Sequence, residues 1–124
     1  MAKESKRKVL VVDDDPTIIK IVHSLLTAQG HEVVSATDGI DAMVKVKEHK
    51  PDLIVLDIMM PELNGYDVCH KLKFDSPYKN IPILLLTSRD QEIDPRIGQM
   101  MGISYLQKPL NRNAFLSLVK QILK

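Results

Sequence analysis

The sequence contains a single cysteine, Cys69, so no internal disulfide can form, and no Cys/His cluster has the spacing of a zinc site. No apolar run approaches the ~18 to 20 residues of a membrane span. The amino terminus, MAKESKRK, is basic but lacks the apolar stretch of a secretory signal. There is no G-x-G-x-x-G and no P-loop, which removes the usual nucleotide-binding signatures. No repeat, linker or low-complexity segment breaks the chain. What remains is 124 residues, 44% hydrophobic and 27% charged, the size and composition of one globular domain. A chain of this length buries roughly two-thirds of its unfolded surface and needs no disulfide or structural metal. The expectation is a single soluble domain of a reducing, cytoplasmic compartment.

Neither sign of charge dominates: 17 basic and 16 acidic side chains give +1. The first eight residues hold Lys3, Lys6, Arg7 and Lys8 against Glu4, and the rest carries thirteen basic and fifteen acidic groups. Residues 1–7 therefore read as a basic flexible tail and residues 8–124 as the folded domain. Four tail charges without aromatics suit a solvated segment better than a nucleic-acid or membrane contact, so neither is expected to bind directly.

Hydrophobic patterning alternates between two periods. Lys8–Val12, Leu53–Leu56 and, apart from Pro82, Ile81–Leu86 are short runs rich in Val, Ile and Leu, the habit of strands buried on both faces of a parallel sheet. Glu32–Ser35 and Ser104–Gln107 are shorter and more polar strands. Pro16–Gln29 places Ile18, Ile19, Val22, Leu25 and Leu26 on one helical face, with Asp15 as cap, Pro16 at the first position and Gly30 at the end. A second helix, Gly39–His49, is expected to bury Ile40, Met43 and Val46 and to stop at Pro51. A third, Gly65–Phe74, buries Val68 and Leu72. The last starts near Asn111 and buries Phe115, Leu118, Val119 and Ile122. Asp94-Pro95 starts a short helix over 95–101, with a loop over 89–94. Five strands alternating with five helices make an α/β sandwich with a parallel sheet.

Ligands of such sheets bind beyond the carboxyl ends of the strands. There the sequence places Asp13, Asp14 and Asp15 after the first strand, Asp57 at the third, Thr87-Ser88 at the fourth and Lys108-Pro109 after the fifth. Carboxylates, a hydroxyl and an ammonium gathered at one edge are not core patterning. Taken singly, Asp15 is a helix cap and Thr87 a turn residue; the set points to a site. His23, His31, His49 and His70 are scattered over different elements and read as surface or half-buried side chains. Cys69 and Met100-Met101 read as packing residues.

With VLVVDDD (9–15), LIVLDIMMPELNGYD (53–67), ILLLTS (83–88) and YLQKP (105–109), the chain resembles a response-regulator receiver domain over about residues 8 to 124. The resemblance implies a flavodoxin-like (βα)5 three-layer sandwich with strand order 2-1-3-4-5. It implies Asp57 as phosphoacceptor, attacking a phosphohistidine in line. It further implies a Mg²⁺ held by Asp14, Asp57 and the main-chain carbonyl of Met59, with Asp13 acting through a water. Lys108 and Thr87 would serve phosphoryl oxygens. Pro61 and Gly65 would shape the loop after Asp57, and Pro109 would hold a cis peptide. Thr87 and Tyr105 are the matching switch pair.

These implications describe a signalling switch that catalyses only its own phosphorylation and slow dephosphorylation. A sensor histidine kinase or histidine phosphotransfer protein would donate, docking around Pro16–Ile21 and Leu110–Asn113. A downstream protein would bind the face of the helix at 95–101, the fifth strand and the last helix. The chain ends with that helix, leaving a stand-alone receiver or a piece of a longer protein as alternatives. Haloacid-dehalogenase-type phosphatases also use an aspartyl nucleophile, but they need an acid two residues on, where Met59 stands. A receiver-like interaction module that is never phosphorylated would show gaps in the acid set, and none is visible.

Overall fold

The continuous apolar runs form parallel strands covered on both faces. The computed structural model describes residues 7–58, 65–74, 77–87, 103–108 and 110–123. Over these, β1 (Lys8–Val12), β2 (Glu32–Ala36), β3 (Leu53–Asp57), β4 (Ile83–Thr87) and β5 (Ile103–Gln107) alternate with α1 (Pro16–Ala28), α2 (Gly39–His49), α3 (Gly65–Phe74) and α4 (Arg112–Ile122). The sheet order is β2-β1-β3-β4-β5 with every pair parallel, the flavodoxin-like order. The expected helix over 95–101 and loop over 89–94 lie outside the described residues.

Strand side chains alternate between two cores. Val9, Val11, Leu53, Val55, Leu84 and Leu86 pack under Val22 and Leu26 of α1 and Phe115 and Val119 of α4. Leu10, Val12, Ile54, Leu56, Ile83 and Leu85 pack under Ala42 and Val46 of α2 and Val68, Cys69 and Leu72 of α3. Each buried Val, Leu, Ile or Phe side chain among them contributes roughly 1.5–3 kcal/mol. A one-residue slip would exchange the two sets, so the cores fix the register and with it which residues emerge at the strand ends.

Helix starts follow their caps. Asp15 accepts from Thr17 N with Pro16 in the first turn, Asp38 accepts from Asp41 N, and Asn111 accepts from Ala114 N. α1 ends at Ala28, one residue before the expected Gln29, because Gln29 is its C-cap and Gly30 takes the left-handed φ of 89°. At the end of α2, Lys50 is left-handed at φ 45°. The following proline disfavours helical geometry there.

Three expectations need correction. Ile40 is not buried but 57% exposed. The inward face of α2 is Gly39, Ala42 and Val46, and Ile40 lies about 100° around the helix from Gly39. β4 starts at Ile83 rather than Ile81, because Ile81 N closes a turn onto Tyr78 O at 3.0 Å and Pro82 has no N–H to donate. β2 and β5 each gain a residue, reaching Ala36 and starting at Ile103. β3 ends at Asp57 as expected, and Asp57 is its last ladder residue, paired with Leu86.

Candidate functional site

Three main-chain hydrogen bonds continue the ladders past the carboxyl ends of the strands. Asp13 N donates to Ala36 O at 3.2 Å, Ile58 N to Leu86 O at 3.2 Å, and Lys108 N to Thr87 O at 2.7 Å. The polar residues at this edge are thus held by sheet geometry rather than by free loops. Among the described residues, the buried polar or charged side chains are Asp13 (0% exposed), Asp57 (5%) and Thr87 (5%). All three stand here, where burying an uncompensated polar group would otherwise be costly.

Lys108 compensates. Its Nζ donates to Asp13 Oδ2 at 3.1 Å and to Asp57 Oδ1 at 3.3 Å. The other oxygen of Asp13 accepts from Asp15 N at 2.9 Å. Asp14 is exposed, and one carboxylate oxygen each of Asp13, Asp14 and Asp57 lies within 4.8 Å of the others. Burial pushes the Asp13 carboxyl above its usual range, against the pull of the Asp15 N–H and of Lys108, and the Asp14 charge adds to the rise. Burial works against the Lys108 ammonium, but the attraction of Asp13 and Asp57 outweighs it and holds Lys108 above the ordinary lysine value.

Among the described residues, three carboxylates gather here with one ammonium, which bridges two of them, and this leaves an excess of negative charge in a partly dry site. All the candidate donors are hard oxygens, the set that suits Mg²⁺ or Ca²⁺ rather than zinc. Since one exposed carboxylate leaves room for waters, the residues fit a partly hydrated Mg²⁺. The four histidines lie elsewhere: His23 and His70 are exposed, His31 and His49 half-buried. Burial raises the Cys69 thiol to about 11, which makes it a packing residue rather than a nucleophile.

Thr87 and Tyr105 share one face of the sheet. Tyr105 pairs with Leu85 across β4 and β5, and its half-buried ring packs on the α2–α3 core. Thr87 follows two residues after Leu85 on the same face. Gly65 begins α3. Met59, Pro61 and Pro109 lie outside the described residues, and with them the expected Met59 carbonyl ligand and cis peptide. Two contacts escaped the sequence reading. Lys108, assigned to a phosphoryl oxygen, bridges Asp13 and Asp57, and Asp15 donates its N–H to Asp13. The second had a signal in the Asp-x-Asp spacing, which favours a side-chain turn onto the amide two residues on.

The response regulator receiver domain family matches residues 9–120. Protein PilG of Pseudomonas aeruginosa is 39% identical over 114 residues, covering 91% of this chain and 84% of PilG. The alkaline phosphatase synthesis transcriptional regulatory protein PhoP of Bacillus subtilis is 40% identical over 119 residues, 95% of this chain but 49% of PhoP. The chain thus spans about half the length of that relative. Among solved structures, a response regulator of Chloroflexus aurantiacus J-10-fl superposes with a TM-score of 0.86 at 30% identity, over 96% of this chain and 98% of that one. The receiver domain of sensor histidine kinase PA1611 of Pseudomonas aeruginosa shares the fold at 24% identity and a TM-score of 0.84, covering 96% and 98% of the two chains. That structure has a magnesium ion coordinated in its active-site cleft. The fold, the acid cluster and a match along nearly the whole chain place this protein in the response regulator receiver domain family, as a receiver of two-component signalling.

Proposed function

We propose that Asp57 is the phosphoacceptor, taking a phosphoryl group from a sensor histidine kinase or a histidine phosphotransfer protein. The observation that carries this is the convergence of Asp13, Asp14 and Asp57 within 4.8 Å at the strand edge, with the Lys108 ammonium bridging two of them. A carboxylate oxygen of Asp57 attacks phosphorus; the O–P bond forms as the N–P bond breaks, and the imidazole leaves with that electron pair. Lys108 gives its charge to one phosphoryl oxygen and Thr87 its hydroxyl to another. Asp14, Asp57 and the Met59 carbonyl would hold Mg²⁺ directly, and Asp13 through a water. Mg²⁺, when bound, offsets the repulsion between the acid cluster and the incoming phosphoryl oxygens.

The protein acts as a switch, with self-phosphorylation and slow dephosphorylation as its only chemistry; Met59, two residues after Asp57, carries no acid for turnover. Residues 8–124 form the receiver, and residues 1–7 its basic tail, in the cytoplasm. Among the described residues no helix is long and apolar enough to cross a membrane. The donor docks around Pro16–Ile21 and residues 110–113, where Ile21 is 43% exposed. Thr87 and Tyr105 pass the signal to a downstream protein on the face of β5, α4 and the segment 95–101.

Acetyl phosphate with Mg²⁺ should add one phosphoryl group, about 80 Da. Asp57→Asn, or omission of Mg²⁺, should abolish the addition. Labelling that persists in Asp57→Asn, read by intact mass, would overturn the assignment.

A further inference from the structure

We infer that Asp15 is a positioning residue for the acid pocket, coupling the first turn of α1 to the carboxylate of Asp14. The inference rests on the reading of Asp13, Asp14 and Asp57 as a Mg²⁺ site. Asp15 is bonded on both sides. Its N–H donates to Asp13 Oδ1 at 2.9 Å, its Oδ1 accepts from Thr17 N at 2.9 Å, and its carbonyl accepts from Ile19 N at 3.2 Å.

Its backbone is extended, φ −95° and ψ 109°, the conformation of an N-cap. Pro16 enforces the same region by excluding helical geometry from the residue before it. Asp14, in contrast, is exposed and its carboxylate makes no hydrogen bond among the described residues. Its placement therefore depends on its two neighbours: Asp13, pinned to Ala36 O, and Asp15, pinned to α1. Mg²⁺ tolerates little departure from octahedral geometry, so a ligand free to wander binds it less well. By reciprocity, whatever the cap adds to Mg²⁺ binding, Mg²⁺ adds to the cap. Mg²⁺ would tighten the first turn of α1, and loss of the cap would weaken Mg²⁺ binding.

Mg²⁺ affinity at fixed ionic strength, by titration calorimetry, for the wild type and for D15N, D15S and D15A tests this. All three variants lose the same charge, but Asn and Ser keep a capping oxygen. D15N and D15S should agree within about twofold, and D15A should bind about three- to tenfold more weakly than either. Hydrogen exchange of the Thr17 amide in the wild type should slow on Mg²⁺ saturation, a readout that needs no variant if D15A fails to fold. Equal affinity in all three variants, or a Thr17 amide indifferent to Mg²⁺, would overturn the coupling while leaving the pocket assignment standing. A wild type that binds no Mg²⁺ would sink the pocket assignment itself, and the coupling with it.

Discussion

His31 stands at the opposite edge of the sheet from Lys108, in surroundings that favour its neutral form. Its Nδ1 is buried and has no hydrogen-bond partner among the described residues. Burial pushes the imidazole below its ordinary value, Arg7 pushes the same way, and Asp52 opposes them. A folded state that resists protonation keeps its full stability above the unfolded value of about 6.5. That contribution is lost as pH falls below it, because the unfolded chain then takes up a proton the folded one refuses. Urea unfolding between about pH 7.5 and 5.5 should show the wild type losing stability, and His31→Asn losing less over the same window. Parallel profiles for the two proteins would remove His31 from the response.

At the scale of elements, β2 is the open edge of the sheet beside β1. Since Glu32 N donates to Arg7 O and Ala36 O accepts from Asp13 N, the amides and carbonyls of Val33 and Ser35 face outward. Lys45 of α2 reaches this edge, its Nζ 3.1 Å from Ser35 O and 3.2 Å from Asp41 Oδ2. A lysine over an open edge blunts its capacity to pair with another strand and ties α2 to β2. Lys45→Met should lower stability by roughly 0.5–1 kcal/mol, given the partial exposure of the pair, and should speed concentration-dependent aggregation on heating. Asp41→Asn, which leaves the lysine in place, should aggregate at the wild-type rate; the reverse order would put the protection in the ion pair.

Such a contact shows where sequence patterning stops. Continuous Val/Ile/Leu runs revealed the strands because burial on both faces leaves no polar alternation to confuse them. The gathering of Asp13, Asp57, Thr87 and Lys108 followed, since parallel strands bring their carboxyl ends to one edge. Ile40 misled because an apolar residue near a helix start fits several faces, and only packing against β1 and β2 selects Ala42 and Val46. The Lys108 bridge to Asp13 spans 95 residues, and no local pattern encodes which of several oxygens a lysine chooses. Lys45 on Ser35 O needed the strand order before the edge could be known.

The molecule as a whole divides its sheet into two unlike edges. At the amino edge, charges and main-chain groups find partners. Asp52 accepts from Lys8 N at 2.9 Å, Lys8 faces Glu32 at 3.8 Å, and Lys73 caps the carbonyls of Lys79 and Ile81, each at 2.9 Å. At the carboxyl edge, carboxylates crowd one another with one ammonium between them. Such crowding costs stability in the metal-free protein and is retained where function needs it. Asp14 offers the cleanest measure, because it gives up no hydrogen bond among the described residues and its charge acts against that of Asp13. Without metal, Asp14→Asn should melt about 1–4 °C above the wild type at low ionic strength, and less in high salt. Saturating Mg²⁺ should reverse the order: a ligand at a hundred times its Kd stabilises the wild type by about 2.7 kcal/mol, while the variant, short of one ligand, gains far less. Thermal melts of both proteins across a Mg²⁺ series should therefore cross. A variant less stable at every concentration, zero included, would mean that Asp14 supports the fold rather than straining it for the sake of the metal.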